Sequence, residues 1–132
     1  MRHTLITGYS GAGKTTVARR LSEETGLPYI VLDEELCKVH DLRSVTDKIA
    51  DLLDSLDTPH IVEGIQILKA AVIWGKHRQI LVDTSENECI NRKVTRDNVN
   101  RTSVVAKQGV FRWAVSAFRR HPDTEVMYSA RS

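Results

Sequence analysis

The chain has 132 residues, of which 41% are hydrophobic and 27% are charged, a balance typical of one compact globular domain rather than a disordered chain. It contains no apolar run near the roughly 18 residues that a membrane span requires, and its first residues lack the apolar core of a signal peptide. We therefore expect a cytoplasmic protein without a membrane partner. The net charge is only +2, but residues 1–66 carry seven basic and eleven acidic side chains, whereas residues 67–132 carry twelve and six. A basic second half suits either nucleic acid or the phosphates of a small substrate, and charge does not choose between them.

Segments typical of strands and of helices alternate along the chain. His3–Thr7 is β-prone and ends at Gly8, and the run from Lys14 to Gly26 has helical spacing. Tyr29–Asp33 is a second β-prone run, and the helix predicted in "LRSVTDKIADLLDSL" has one apolar face. The remaining predicted elements are a strand in "HIVEG", a short helix in "IQILKAAVIW", a strand over Arg78–Asp83, a helix in "NECINRKVTRDNVN" with Thr84 or Ser85 as N-cap, and a helix in "SVVAKQGVFRWAVSAFRR" that ends before Pro122.

This alternation predicts an α/β fold, a three-layer sandwich in which a parallel sheet of four or five strands is flanked by helices. The sequence leaves open whether the tail "TEVMYSARS" adds the fifth strand. No linker or repeat interrupts the chain, so we expect residues 1–132 to form a single domain.

The segment "GYSGAGKTT" joins the first predicted strand to the first predicted helix. Its residues satisfy the pattern G-x-x-x-x-G-K-[ST], the P-loop, whose backbone N–H groups turn inward around a phosphate. In such a loop Lys14 bridges the β- and γ-phosphates and the Thr15 hydroxyl ligates Mg²⁺. We therefore expect a nucleoside triphosphate and Mg²⁺. ATP is the expected cofactor, although the sequence does not decide between ATP and GTP. The expected nucleotide-binding residues are Gly8, Ser10, Gly11, Ala12, Gly13, Lys14, Thr15 and Thr16.

Acidic side chains stand at the ends of the next two predicted strands. Asp33 closes the second strand and Glu63 closes the third. Ligands of open parallel sheets bind beyond the carboxyl ends of the strands. Both carboxylates are therefore candidates for the site, although Asp33 also suits a helix-capping role.

Residues 3–101 resemble the small P-loop kinases, a group that includes shikimate and gluconate kinases, nucleoside and nucleotide kinases, and the kinase domain of polynucleotide kinases. The resemblance rests on "GYSGAGKTT", "LPYIVLDEE", "HIVEG" and "ILVDTSENECINRKVTRD". It implies that Asp33 contacts the acceptor as a general base, with Glu34 as a substitute. It also implies that Glu63, at the end of the third strand, lies near the metal shell. One departure is that Gly64 stands where shikimate kinases have a glycine triplet, so the acceptor pocket differs from theirs.

The resemblance further implies a basic lid segment over about residues 85–103. Arg92 and Arg96 are four residues apart and share one face of a helix, so both can reach the same phosphate group. Arg101 lies in the same region, and a solvated basic face is the alternative interpretation. The sequence does not say whether these arginines act on their own subunit's site or on a neighbour's.

The expected function is therefore an ATP- and Mg²⁺-dependent kinase that moves the γ-phosphate to a small hydroxyl or phosphate acceptor, a nucleoside or nucleotide being one option. Its catalytic residues would be Lys14, Asp33, Arg92 and Arg96, and the metal site would involve Thr15 and Glu63. A nucleic-acid acceptor is a less favoured alternative. A non-catalytic nucleotide switch is disfavoured because the chain lacks an N-K-x-D segment for reading guanine. A monomer and a homodimer both remain open.

Several other conspicuous residues are expected to be structural. Cys37 and Cys89 are interpreted as reduced thiols, and the five histidines have no metal-ligand spacing. The aromatic residues expected to pack in the interior are Trp74, Phe111, Trp113 and Phe118.

Overall fold

The structure is a computed structural model that describes residues 2–38 and 44–127. Strands and helices alternate along these residues, as predicted. The strands are β1 (Thr4–Thr7), β2 (Tyr29–Val31), β3 (Ile61–Glu63), β4 (Arg78–Val82) and β5 (Thr124–Met127). The α-helices are α1 (Lys14–Thr25), α2 (Leu32–Cys37), α3 (Val45–Ser55), α4 (Glu86–Asp97), α5 (Arg101–Gly109) and α6 (Arg112–Arg120). Two short 3₁₀ helices, Ile65–Lys69 and Ala71–Ile73, lie between β3 and β4.

The five strands form one parallel sheet in the order β2-β3-β1-β4-β5. The predicted fold class is confirmed, and the tail does contribute the fifth strand over Thr124–Met127. In the central register Ile6 of β1 lies beside Glu63 of β3 and Ile80 of β4. Because the strands are parallel, their carboxyl ends meet at one edge of the sheet. The glycine loop and the acids that follow β2 and β3 therefore converge there.

The core lies between this sheet and the helices packed on it. Leu5 and Ile6 of β1 are fully buried, as expected for a central strand covered on both faces. Helices contribute apolar stripes at helical spacing, such as Ile49 and Leu53 of α3 and Val115 and Phe118 of α6.

The second strand is shorter than predicted, which changes the setting of Asp33. The strand ends at Val31, and Leu32 begins α2. Leu32 is fully buried, and three acids in the first turn of α2 are favourable at the positive end of a helix. Asp33 consequently lies in a helical first turn and not at a strand end. The part of the next predicted helix that precedes Ser44 includes residues 42 and 43, which lie outside the described residues.

The prediction of one helix across residues 103–120 was wrong, because two helices meet near residue 110. In α5 the Asn100 side chain accepts a hydrogen bond from Ser103 N, an N-cap that starts the helix before the predicted position. The chain then turns at Val110 and Phe111, and burial of the Phe111 ring stabilises the break. Trp113 points outward with 78% of its surface exposed, so its predicted interior packing was also wrong.

Three histidines meet at the opposite edge of the sheet. His3 Nδ1 accepts from His60 N at 3.0 Å, and His3 Nε2 lies 3.1 Å from Leu53 O. His77 Nδ1 accepts from His3 N at 3.0 Å. These rings therefore satisfy backbone groups, and no cluster of three potential metal ligands occurs among the described residues. Nor does any helix in residues 2–38 and 44–127 have the length and apolarity to cross a bilayer.

Candidate functional site

The loop between β1 and α1 has a backbone that requires glycine, as Gly11 and Gly13 show. Gly11 has φ 89°, and a Cβ there would lie 2.9 Å from Cys89 O. Gly13 is the N-cap of α1 and has φ 98°. L-residues with side chains rarely adopt such positive φ values. Within the loop, Ala12 N donates to Tyr9 O at 3.0 Å and closes a tight turn. The segment is therefore folded as a compact cradle directly before the helix.

Side chains from the α4–α5 side of the sheet form hydrogen bonds with this cradle. They reach carbonyl or hydroxyl oxygens of Ser10, Gly11 and Ala12. The contacts are Thr84 Oγ1 to Ala12 O at 2.8 Å, Arg92 Nη1 to Gly11 O at 3.2 Å, Lys93 Nζ to Ser10 Oγ at 3.0 Å and Gln108 Nε2 to Ser10 O at 2.7 Å. The loop is consequently held in place by residues far away in sequence.

Lys14 is buried at the start of α1. Only 8% of its surface is exposed, and its Nζ donates to Tyr9 O at 2.8 Å. Burial lowers the pKa of the Lys14 ammonium below its usual value, whereas the negative charges of Glu63 and Asp33 raise it. The structure thus places a desolvated amine beside two carboxylates, where it interacts strongly with any further anion.

Glu63 ends β3 and is almost fully buried. Its carboxylate accepts a hydrogen bond from Thr15 Oγ1. Burial raises the pKa of Glu63, and the Thr15 hydrogen bond and the charge of Lys14 act in the opposite direction. The hydroxyl keeps its oxygen lone pairs while donating its hydrogen, so Thr15 and Glu63 present a pair of oxygen ligands of the kind that Mg²⁺ prefers.

The Asp33 side chain, on α2, faces the same region as Lys14 and Glu63. Desolvation raises the pKa of its carboxyl, whereas the positive charges of Lys14 and Lys93 lower it. Gly64 lies behind this carboxylate, and a Cβ at Gly64 would meet Leu32 Cβ at 2.9 Å and Asp33 Oδ1 at 3.3 Å. The small residue after β3 therefore allows Asp33 its position.

A cavity of about 970 Å³ joins these groups. Its wall includes Lys14, Thr15, Asp33, Glu63, Arg92 and Arg96. Of the other predicted nucleotide-binding residues, Ser10, Gly11, Gly13 and Thr16 also line it. Gly8 and Ala12 are not among its lining residues and belong to the frame of the loop. The structure thus brings together all the residues predicted to be catalytic or metal-binding.

The two predicted lid arginines face the cavity from one side of α4. Arg92 bridges to Glu88 Oε1 at 2.8 Å as well as to the glycine loop. Arg96 is more exposed and pairs with Asp97 at 2.9 Å. Arg101 instead donates to Asn91 Oδ1 at 2.7 Å and is not a lining residue. The i,i+4 spacing identified the two arginines that share the cavity.

Sequence reasoning missed three polar residues that contact the loop, Thr84, Lys93 and Gln108. Thr84 was considered only as an N-cap, a role that Ser85 takes by accepting from Glu88 N. Lys93 is adjacent to Arg92, and its positive charge is the one feature of the sequence that could have indicated a contact with the loop. Gln108 carries no motif, although its i,i+4 spacing to buried Val104 places it on the inner face of α5.

The sequence model described as "AAA domain" matches residues 5–108, which include every residue of the cavity. The chain belongs to this family of P-loop NTPases. No curated protein matches the sequence of this AAA domain protein.

Solved structures share its fold. A gluconokinase from Sinorhizobium meliloti is 18% identical, with a TM-score of 0.68 over 99% of this chain and 84% of its own. A sugar kinase from Janibacter is 17% identical, with a TM-score of 0.59 over 98% and 84%. A shikimate kinase from Bacteroides thetaiotaomicron is 14% identical, with a TM-score of 0.55 over 88% and 92%. The resemblance to small P-loop kinases is therefore confirmed for the fold, and at these identities it extends no further.

Proposed function

We propose that this AAA domain protein is an ATP- and Mg²⁺-dependent phosphotransferase that moves a γ-phosphate to a small acceptor with a hydroxyl or phosphate group. The observation that supports this most strongly is the position of Asp33. Its carboxylate lines the same cavity as Lys14, Thr15 and Glu63. A nucleotide-binding module has no need of an additional partly desolvated carboxylate there, whereas a kinase needs a base for its acceptor.

The residues present suit a magnesium triphosphate. The positive φ of Gly11 and Gly13 shapes a cradle for phosphate oxygens at the positive end of α1. Thr15 and Glu63 offer oxygen atoms for the ion, and Mg²⁺ commonly relies on one or two protein groups together with substrate phosphates. When bound, the ion supplies charge neutralisation at the phosphates.

Lys14 and the arginines would act on the charge of the transferring group. The Lys14 ammonium now donates to Tyr9 O, and in the complex it would turn to phosphate oxygens. Arg92 and Arg96 lie across the cavity on α4 and would stabilise the same anion. In this proposal residues 1–132 act as one domain, as a monomer or homodimer, with about 85–103 as the lid segment.

Asp33 would orient the acceptor hydroxyl and take its proton. Its pKa is raised by desolvation, which makes the carboxylate a better base than one in water, while Lys14 and Lys93 favour its ionised form. An acceptor bound at Asp33 lies on the β2–β3 side of the cradle and faces the phosphates. The proton would thus leave the hydroxyl for Asp33 as the phosphoryl group is transferred.

A small polar acceptor suits the cavity better than a nucleic acid. None of the described residues that line it is aromatic, and Val31 is the one large apolar side chain among them. Sequence-tolerant binding of single strands relies on aromatic stacking platforms. Binding of oligonucleotides that weakens steeply with salt would instead support the nucleic-acid alternative.

The test is transfer of label from γ-labelled ATP to a panel of sugars, sugar acids, nucleosides, nucleotides and oligonucleotides. We expect one class of small acceptor to be labelled, and D33N to lower that rate by about 10²- to 10⁴-fold. E35Q is the matched control, because Glu35 lies on the same helix and pairs with Lys38 on the surface at 3.0 Å. Hydrolysis without labelling of any acceptor, or full activity in D33N, would contradict the proposal.

A further inference from the structure

Gln108 is a buried amide behind the glycine loop. It lies on α5 with 2% of its surface exposed, and its Nε2 donates to Ser10 O at 2.7 Å. Ser10 and Gly11 line the cavity, whereas Gln108 is not one of the lining residues. The side chain therefore contacts the loop from outside the cavity wall.

This contact has a consequence for the next amide. A trans peptide is planar, and its C=O and N–H point in opposite directions. The Ser10 carbonyl and the Gly11 N–H belong to one such plane. Because the Ser10 carbonyl is directed at Gln108 on α5, the Gly11 N–H points away from that helix. Gly11 has no side chain of its own that would restrain the plane.

The oxygen atom of the Gln108 amide, unlike its nitrogen, has no hydrogen-bond partner in the part of the chain that the structure describes. Its Oε1 is buried and accepts no hydrogen bond from the described residues. An unpaired buried carbonyl destabilises a fold, and an apolar side chain of similar volume would avoid that cost. Val104, one turn earlier on the same buried face, is such an apolar residue. Packing alone therefore does not account for an amide at position 108, whereas its N–H donor does.

We infer that Gln108 is a positioning residue, which sets the Ser10–Gly11 peptide plane from behind and aims the Gly11 N–H at a phosphate of the bound nucleotide. This inference rests on the proposed nucleotide binding. Gln108 differs from Arg92 and Lys93, which also hold the loop, because it is uncharged. Its replacement leaves the charge of the cavity unchanged and so isolates the orientation of the peptide.

The experiment compares wild type with Q108M and Q108L, using K107M as the control because Lys107 is exposed on the same helix. Calorimetry measures the Kd of MgADP and of magnesium pyrophosphate, which reports on the phosphate cradle without the nucleoside. We expect Q108M to raise both Kd values about tenfold, the loss of roughly one hydrogen bond. Q108L, which likewise cannot donate to Ser10 O, should bind at least as weakly. K107M should bind like the wild type.

Thermal unfolding supplies the readout that separates positioning from packing. Q108M loses the bond to Ser10 O but also removes the unpaired Oε1, so its Tm should stay within a few degrees of wild type while affinity falls. Q108L is likewise uncharged and provides a second test if Q108M does not fold. Wild-type affinity in either folded variant would overturn the inference and leave the proposed function intact. A wild-type protein that binds neither MgADP nor pyrophosphate would overturn both.

Discussion

The hydroxyl of Thr15 donates a hydrogen bond to the carboxylate of Glu63, which joins the first turn of α1 directly to the end of β3. The two residues are 48 positions apart in sequence. Parallel pairing of β1 with β3 brings them together, because Ile6 lies beside Glu63 in the register. The proposed metal site thus depends on the sheet as well as on the loop.

Replacing Thr15 tests that site. T15V keeps the shape of the side chain and removes its oxygen, so we expect the Mg²⁺ concentration needed for nucleotide binding to rise by about tenfold or more. T25V is the control, because Thr25 lies at the other end of the same helix and its hydroxyl donates to Leu21 O. Titration of Mg²⁺ at fixed ADP measures the effect. An unchanged Mg²⁺ requirement in T15V would remove this residue from the metal site.

Replacing Gly11 tests the shape of the cradle. In G11A the new Cβ would combine a positive φ with a contact of 2.9 Å to Cys89 O, so the loop must shift. G26A is the matched control, because Gly26 has φ 75° at the end of α1 and no atom within 4 Å of the added Cβ. We expect G26A to cost about 1–2 kcal/mol of unfolding free energy with nucleotide affinity kept. G11A should cost more and lose measurable ADP binding, as followed by urea unfolding and calorimetry.

The raised pKa of Asp33 predicts that its carboxyl makes the folded state less stable as pH rises. A carboxyl whose pKa is higher in the folded state binds a proton more readily there. Its stabilising contribution is therefore complete below the unfolded pKa, near 3.8. That contribution is lost as the pH rises through the pKa of the folded state. D33N does not titrate and therefore lacks this loss of stability at higher pH. Its Tm should therefore match wild type near pH 3.5 and exceed it at pH 7. A D33N protein that is less stable than wild type at pH 7 would show that Asp33 is structurally required.

At the other edge of the sheet, His77 predicts loss of stability in acid. Burial, with the neighbouring His3, lowers the pKa of His77 below 6.5. The unfolded chain then binds the proton more readily, so the stability that the neutral ring provides is complete above pH 6.5 and is lost as pH falls through the folded pKa. H77N keeps an acceptor for His3 N and does not titrate. Urea unfolding between pH 8 and pH 5 should show a shallower decline in H77N than in wild type, and identical declines would refute this role.

The sequence predicted those parts of the fold that depend on local pattern. Short segments are enough to show the glycine loop, the alternation of strands and helices that predicts a parallel sheet, and the i,i+4 pair Arg92 and Arg96. The structure places these two arginines on one wall of the cavity. The position of Glu63 at the end of β3 was predicted from the sequence pattern of that strand. Such features need no knowledge of distant contacts.

Other parts depend on packing between distant segments and were not predicted. The start of α2 at Leu32 reflects burial of that side chain, and the break between α5 and α6 reflects burial of Phe111. Gln108 contacts Ser10 across 98 positions in sequence. A glutamine in a helix gives no sign of such a contact until the helix is placed against the loop.

Above all, we propose that the buried Lys14 amine and the cradle before it bind the phosphates of a magnesium nucleotide. Calorimetry of MgATP with wild type and K14M tests it most directly, with thermal unfolding of both proteins as the check on folding. We predict saturable binding to wild type and a Kd about 100-fold weaker for K14M, the loss of a charge-assisted hydrogen bond. Because burial already disfavours the Lys14 charge, the Tm of K14M should be equal to or above that of wild type. No binding by folded wild type, or equal binding by folded K14M, would contradict the account.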